Sequence, residues 1–96
     1  MSALTLKSSR HRPLRPLVEA AIENEIRLLQ SGIHRTEARL HAFEAEYGLT
    51  TEEFLRRYNN DELTETLDFA EWIGEHRLLE RLQEKAETLQ GVRFAD

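Results

Sequence analysis

The 96-residue sequence contains no cysteine, which excludes disulfides and thiolate metal sites and is typical of the reducing cytoplasm. Its four glycines and two prolines are too few for a low-complexity or disordered chain. No apolar run approaches the ~20 residues of a membrane-spanning helix, and none follows the basic N-terminus as it would in a signal peptide. We therefore expect one small cytoplasmic domain without a membrane segment.

Acidic residues are absent from the first 18 positions, which hold Lys7, Arg10, Arg12 and Arg15. These four bases give the segment a charge of +4, so the remaining residues carry −9 of an overall −5. An acidic body favours basic partners over nucleic acid. We expect a flexible basic arm over 1–15, a helical domain over 16–92 and a tail over 93–96. The arm is either a solvated terminus or the one segment able to bind nucleic acid.

Apolar residues recur in alternating steps of four and three along the first half of the domain. They are Ile22, Ile26, Leu29, Ile33, Thr36, Leu40, Phe43 and Tyr47. This heptad seam predicts a helix over 16–47, with Pro16 in its first turn and Gly48 just past its end. Gly32 inside it either bends the helix or admits a close neighbour. The seam serves either packing within the chain or oligomerisation.

Two further helices follow. Thr50 and Glu53 form the pattern of a capping box, which predicts a short helix over 51–58. The next turn and helix cap are indicated by Asn59, Asn60 and Asp61. They predict a third helix over 61–90 that ends at Gly91. Two long helices of similar length joined by a short one predict an all-α antiparallel helical hairpin with coiled-coil-like packing.

The third predicted helix has two apolar faces. The expected core face consists of Leu63, Leu67, Ala70, Gly74, Leu78, Leu82 and Leu89. Phe69, Trp72 and Ile73 point elsewhere, and a two-helix hairpin cannot cover both faces. Either the short helix covers this second face, or it binds a partner through Trp72 as an anchor. Asp68, Glu71 and Glu75 lie beside it and would supply the electrostatic complement.

Motifs that carry chemistry are missing. The sequence has no nucleophile elbow, phosphate loop or zinc-protease pattern. His34, Glu37 and His41 share roughly one helical face, but exposed charged helices often contain such triples. We therefore expect neither catalysis nor a metal or other cofactor.

Several segments within residues 16–92 together resemble a known family. In order they are Tyr47-Gly48-Leu49-Thr50-Thr51-Glu52-Glu53-Phe54, then Tyr58, then Leu67-Asp68-Phe69-Ala70-Glu71-Trp72, then a leucine-rich helix ending at Gly91. The chain is similar here to small helical antitoxins, which are encoded beside ribonuclease-type toxins in bacterial and archaeal operons. The resemblance implies a cytoplasmic protein that binds and blocks its toxin without catalysing a reaction. The basic arm has no counterpart in this pattern.

The sequence thus predicts an antitoxin that acts by protein–protein contact as a homo- or hetero-oligomer. The expected partner contacts are Phe69, Trp72 and Ile73 with Asp68, Glu71 and Glu75. Two alternatives remain: a coiled-coil dimerisation module with no toxin partner, and a DNA-binding regulator that uses the arm. No helix-turn-helix pattern with a basic recognition helix supports the regulator.

Overall fold

Three helices make up most of the computed structural model, which describes residues 3–4 and 13–94 of the chain. They are α1 (Leu14–Tyr47), α2 (Thr51–Asn59) and α3 (Leu67–Gln90). Two dipeptides, β1 (Ala3–Leu4) and β2 (Arg93–Phe94), pair in parallel beside the open end of the hairpin. Most of the predicted arm and the end of the tail lie outside the described residues.

The helices α1 and α3 pack along each other in opposite directions. Gly32 lies beside Leu82, and Arg39 pairs with Glu75 at 2.5 Å, so the residue numbers run oppositely along the contact. The molecule measures 61 × 21 × 17 Å, and its radius of gyration is 19.1 Å, against about 13 Å for a compact chain of this length. The predicted all-α helical hairpin with a short connecting helix is confirmed. No helix in the described part is both long and apolar enough to cross a membrane.

The seam of α1 faces α3, so it packs within the hairpin. Leu29, Thr36 and Leu40 are buried there, and most of the other seam residues are half-buried. Gly32 is buried too, and a Cβ added to it would lie 3.3 Å from Cδ1 of Leu82. The glycine therefore admits a close neighbour, and α1 continues through it without a break.

Glycine and threonine define the turn between α1 and α2. Gly48 adopts the left-handed conformation with φ 66°, and its N–H donates to the carbonyl of Glu44 at 2.9 Å. Thr50 caps α2 by accepting from the N–H of Glu53 at 3.1 Å. The Glu53 carboxylate does not complete the capping box but pairs with Arg56 and Arg57, which lower its pKa to about 2.

The third helix begins six residues later than predicted. Asp61 does not cap it but adopts a left-handed backbone with φ 56°, inside the loop after α2. The N-cap is Thr66, whose hydroxyl accepts from the N–H of Phe69 at 3.1 Å. Leu63 therefore lies in the loop, where it packs half-buried against the core.

The predicted core face of α3 is also wrong in its first half. Leu67 is 75% exposed, and Ala70 and Gly74 are exposed as well. Trp72 is buried in their place, and Leu79 and Ala86 follow it at heptad spacing toward α1. The free energy of burial grows with apolar area, so the largest side chain of the helix takes the core position.

Loss of the Thr66 cap should destabilise the protein measurably. Thr66→Ala removes the acceptor for the Phe69 N–H, so we expect the free energy of unfolding in urea to fall by about 1 kcal/mol. Thr64→Ala, in the same loop but outside the cap, is the control and should change it little. Equal stability of the two variants would contradict the assigned start of α3.

Candidate functional site

Aromatic side chains from all three helices form one cluster at the turn end of the hairpin. It contains six of the seven aromatic residues of the chain: Phe43, Tyr47, Phe54, Tyr58, Phe69 and Trp72. The Phe54 and Trp72 rings are fully buried and stack with centroids 3.9 Å apart and planes within 3°. Phe43 of α1 also stacks on Trp72, at 5.5 Å. Such contacts add to the stabilisation that burial itself provides.

A short chain of hydrogen bonds runs beside this stack. The indole N–H of Trp72 donates to Oγ1 of Thr51 at 3.1 Å, and the same hydroxyl donates to Oε2 of Glu44 at 2.9 Å. The backbone N–H of Thr51 donates to the same carboxylate oxygen at 2.7 Å. One hydroxyl therefore links α1, α2 and α3, and it satisfies the polar atom of a buried tryptophan.

The second apolar face of α3 is thus covered by α2. Trp72 has no exposed surface, and Phe69 and Ile73 pack half-buried against the same core. The expectation that Trp72 anchors a partner on a free surface is therefore wrong for this conformation. The alternative prediction, that the short helix covers this face, agrees with the structure.

Acidic side chains surround the aromatic cluster on the outside. We call this set the acidic rim: Asp61, Glu62, Glu65, Asp68, Glu71 and Glu75. Tyr47 donates its hydroxyl hydrogen to Asp68, and Tyr58 donates to Glu65. Arg56 lies 3.5 Å from Glu62, in addition to the Arg39–Glu75 pair. Four of the six carboxylates are therefore positioned by side chains of α1 or α2.

The hydrogen bonds to the rim raise the pKa values of both tyrosines. The hydrogen bond to Asp68 raises the pKa of Tyr47 to about 12, and the bond to Glu65 raises that of Tyr58. The raised pKa means that each phenol keeps its proton and remains the hydrogen-bond donor to its carboxylate.

The predicted electrostatic residues Asp68, Glu71 and Glu75 all belong to this rim. Sequence reasoning missed that Tyr47 and Tyr58 bond to this rim, and that Thr51 links the three helices beneath it. Thr51 stood out only as part of a capping pattern, and no local signal pairs it with Trp72, 21 positions away.

Carboxylates placed in this way can bind cationic groups through charge-assisted hydrogen bonds. Within the described part of the chain, no three or more His, Cys, Asp or Glu side chains are grouped as metal ligands. His34 and His41 are exposed and Glu37 is half-buried on α1. Comparisons with protein-family models, curated proteins and solved structures found no match to this chain.

Removal of the Thr51 hydroxyl tests the hydrogen-bond chain. Thr51→Val keeps the shape of the side chain but leaves the Trp72 N–H without an acceptor, so we expect a loss of about 1–3 kcal/mol in unfolding free energy. Thr51→Ser retains the hydroxyl and should lose less. The fluorescence of the single tryptophan reports urea unfolding, and equal losses in the two variants would refute this role of Thr51.

Alkaline titration tests the contact between Tyr47 and the rim. In a Tyr58→Phe background, absorbance should show Tyr47 titrating near pH 12, while Asp68→Asn should return it toward the ordinary value of 10. Because an unfolded tyrosine loses its proton near pH 10, the stability from this bond should be lost as pH rises from 10 to 12. Glu71→Gln, which leaves the bond intact, is the control. A Tyr47 titration unchanged by Asp68→Asn would contradict the contact.

Proposed function

We propose that this protein is a non-catalytic cytoplasmic antitoxin that binds and neutralises a basic, ribonuclease-type toxin by protein–protein contact. The observation that carries the proposal is the acidic rim. Six carboxylates lie between Arg57 and Arg77 with no lysine or arginine among them. An enzyme that binds RNA needs a positively charged surface for the phosphates, and the rim is complementary to such a surface.

The rim is organised before a partner arrives. Tyr47, Tyr58, Arg39 and Arg56 restrict four of its side chains on a tightly stacked core. A surface that is already ordered loses less conformational entropy on binding. The tyrosines leave the charge of their carboxylates in place, so attraction to a cationic partner is retained.

The predicted partner residues then divide into two roles. Asp68, Glu71 and Glu75 meet the partner, and the exposed side chain of Leu67 adds an apolar contact beside them. Phe69, Trp72 and Ile73 support this surface from below, where they hold α2 and α3 together. Substitutions of Trp72 would therefore weaken binding through loss of the fold.

The test is co-expression with a small basic protein encoded beside this gene. We expect the two proteins to purify together and growth to be rescued from the toxin. Glu71 is exposed and forms no ion pair within the described residues. Its reversal, Glu71→Lys, should slow association by about tenfold at low salt, and the effect should fade as salt screens the charges.

Glu23→Lys is the matched control, because Glu23 is an exposed acid of α1 far from the rim. It should associate at nearly the wild-type rate, and both variants should have the melting temperature of the wild type. Equal association rates for Glu71→Lys and Glu23→Lys would remove the rim from the interface. The absence of any complex with the neighbouring protein would refute the antitoxin proposal itself.

A further inference from the structure

Gly74 is exposed in the first half of α3. Within the described part of the chain, a Cβ added to it would meet no atom within 4 Å. Glycine is, after proline, the residue least favourable to a helix. Gly32 differs, because the side chain of Leu82 occupies the space beside it. Gly74 therefore provides room for a group from outside this hairpin.

The surface around Gly74 forms a heptad stripe on the side of α3 that faces away from Trp72. We call it the outer stripe: Leu67, Glu71, Gly74, Leu78, Arg81 and Lys85. Its steps alternate four and three, as in a helix that contacts a second helix along its length. Leu67 is 75% exposed, the largest exposure among the large apolar residues of the described chain. Leu78 is half-buried.

Charge is divided between the two halves of this stripe. Among the stripe residues themselves, Glu71 lies in the N-terminal half, and Arg81 and Lys85 lie in the C-terminal half, with Glu84 beside the two bases. Glu71 and Arg81 are both exposed, and neither forms an ion pair within the part of the chain that the structure describes. Two such stripes in antiparallel orientation would place acid opposite base at both ends, which makes the surface complementary to itself.

We propose that the outer stripe binds the outer stripe of a second copy of this chain, with the two α3 helices antiparallel about a twofold axis near residue 76. In this register Leu78 of the second copy lies over Gly74. Glu71 lies opposite Arg81 of the second copy. Leu67 packs against the aliphatic part of the Lys85 side chain of the second copy. The relation is isologous, so each contact occurs twice.

A hollow is present where the incoming leucine would lie. It has a volume of about 380 Å³ and is lined by Arg39, Phe43, Glu71, Gly74 and Glu75. A side chain at position 74 would extend toward the incoming helix and prevent its close approach. Contact with a second copy would thus explain both the glycine at position 74 and the high exposure of the Leu67 side chain.

The stripe has few apolar residues, so we expect a reversible dimer whose dissociation constant is on the order of micromolar. The dimer requires no toxin.

Sedimentation velocity of the full chain over a micromolar concentration series tests this interface. The wild type should be a dimer at the upper concentrations. Glu71→Arg and Arg81→Glu should each raise the dissociation constant by about tenfold, because each places like charges together twice. The double variant Glu71→Arg with Arg81→Glu restores opposite charges and should dimerise nearly as well as the wild type. Glu23→Arg, outside the stripe, is the control.

Gly74→Leu provides an independent check. Its side chain has open space in the single hairpin, so circular dichroism should show undiminished helix and thermal melting should not fall. Dimerisation should nevertheless be lost. A wild type that stays monomeric across the series would overturn the proposal. The proposal would also be overturned if the Gly74→Leu variant still dimerised. The same holds if the double charge variant dimerised as weakly as the single variants.

Discussion

The burial of Trp72 is the interaction on which the rest of the structure depends. Two antiparallel helices leave the outer side of a tryptophan exposed, and here Phe54 of α2 covers it with a parallel ring 3.9 Å away. Burial also requires a partner for the indole N–H, which the Thr51 hydroxyl supplies while it donates to Glu44. The position of α2, and through Tyr58 the position of part of the acidic rim, follows from this one side chain.

Local signals predicted the first two helices well because those signals are unambiguous. Gly48 is left-handed as its place after a heptad seam indicated, and Thr50 caps α2 as its spacing to Glu53 indicated. At the start of α3 the local signals compete. Asp61 and Thr66 are both residues that favour an N-cap, and the choice between them depends on how Phe69 and Trp72 pack against α1 and α2. Packing between distant segments cannot be inferred from either cap alone.

The same competition explains the face of α3 that was assigned to the core. A stripe beginning with Leu67 satisfies helical periodicity, but so does the stripe that begins with Trp72, and periodicity gives no preference between them. Burial of aromatic area decides, and the rotation of the helix leaves Leu67, Ala70 and Gly74 on the surface. Of the acids expected beside Trp72, Glu71 is exposed, whereas Asp68 and Glu75 are half-buried against Tyr47 and Arg39. The tyrosine partner of Asp68 could not be predicted, since Tyr47 and Asp68 are 21 residues apart.

The two surfaces proposed for α3 overlap at Glu71 and Leu67, and this overlap links them. One carboxylate cannot accept hydrogen bonds from Arg81 of a second copy and also face a cationic group of a toxin at full strength. Coupling between binding equilibria is reciprocal. If bound toxin weakens dimerisation by some factor, dimerisation must weaken toxin binding by the same factor. The other five rim residues lie outside the outer stripe. Toxin binding would therefore favour the monomer to the extent that it depends on Glu71 and Leu67.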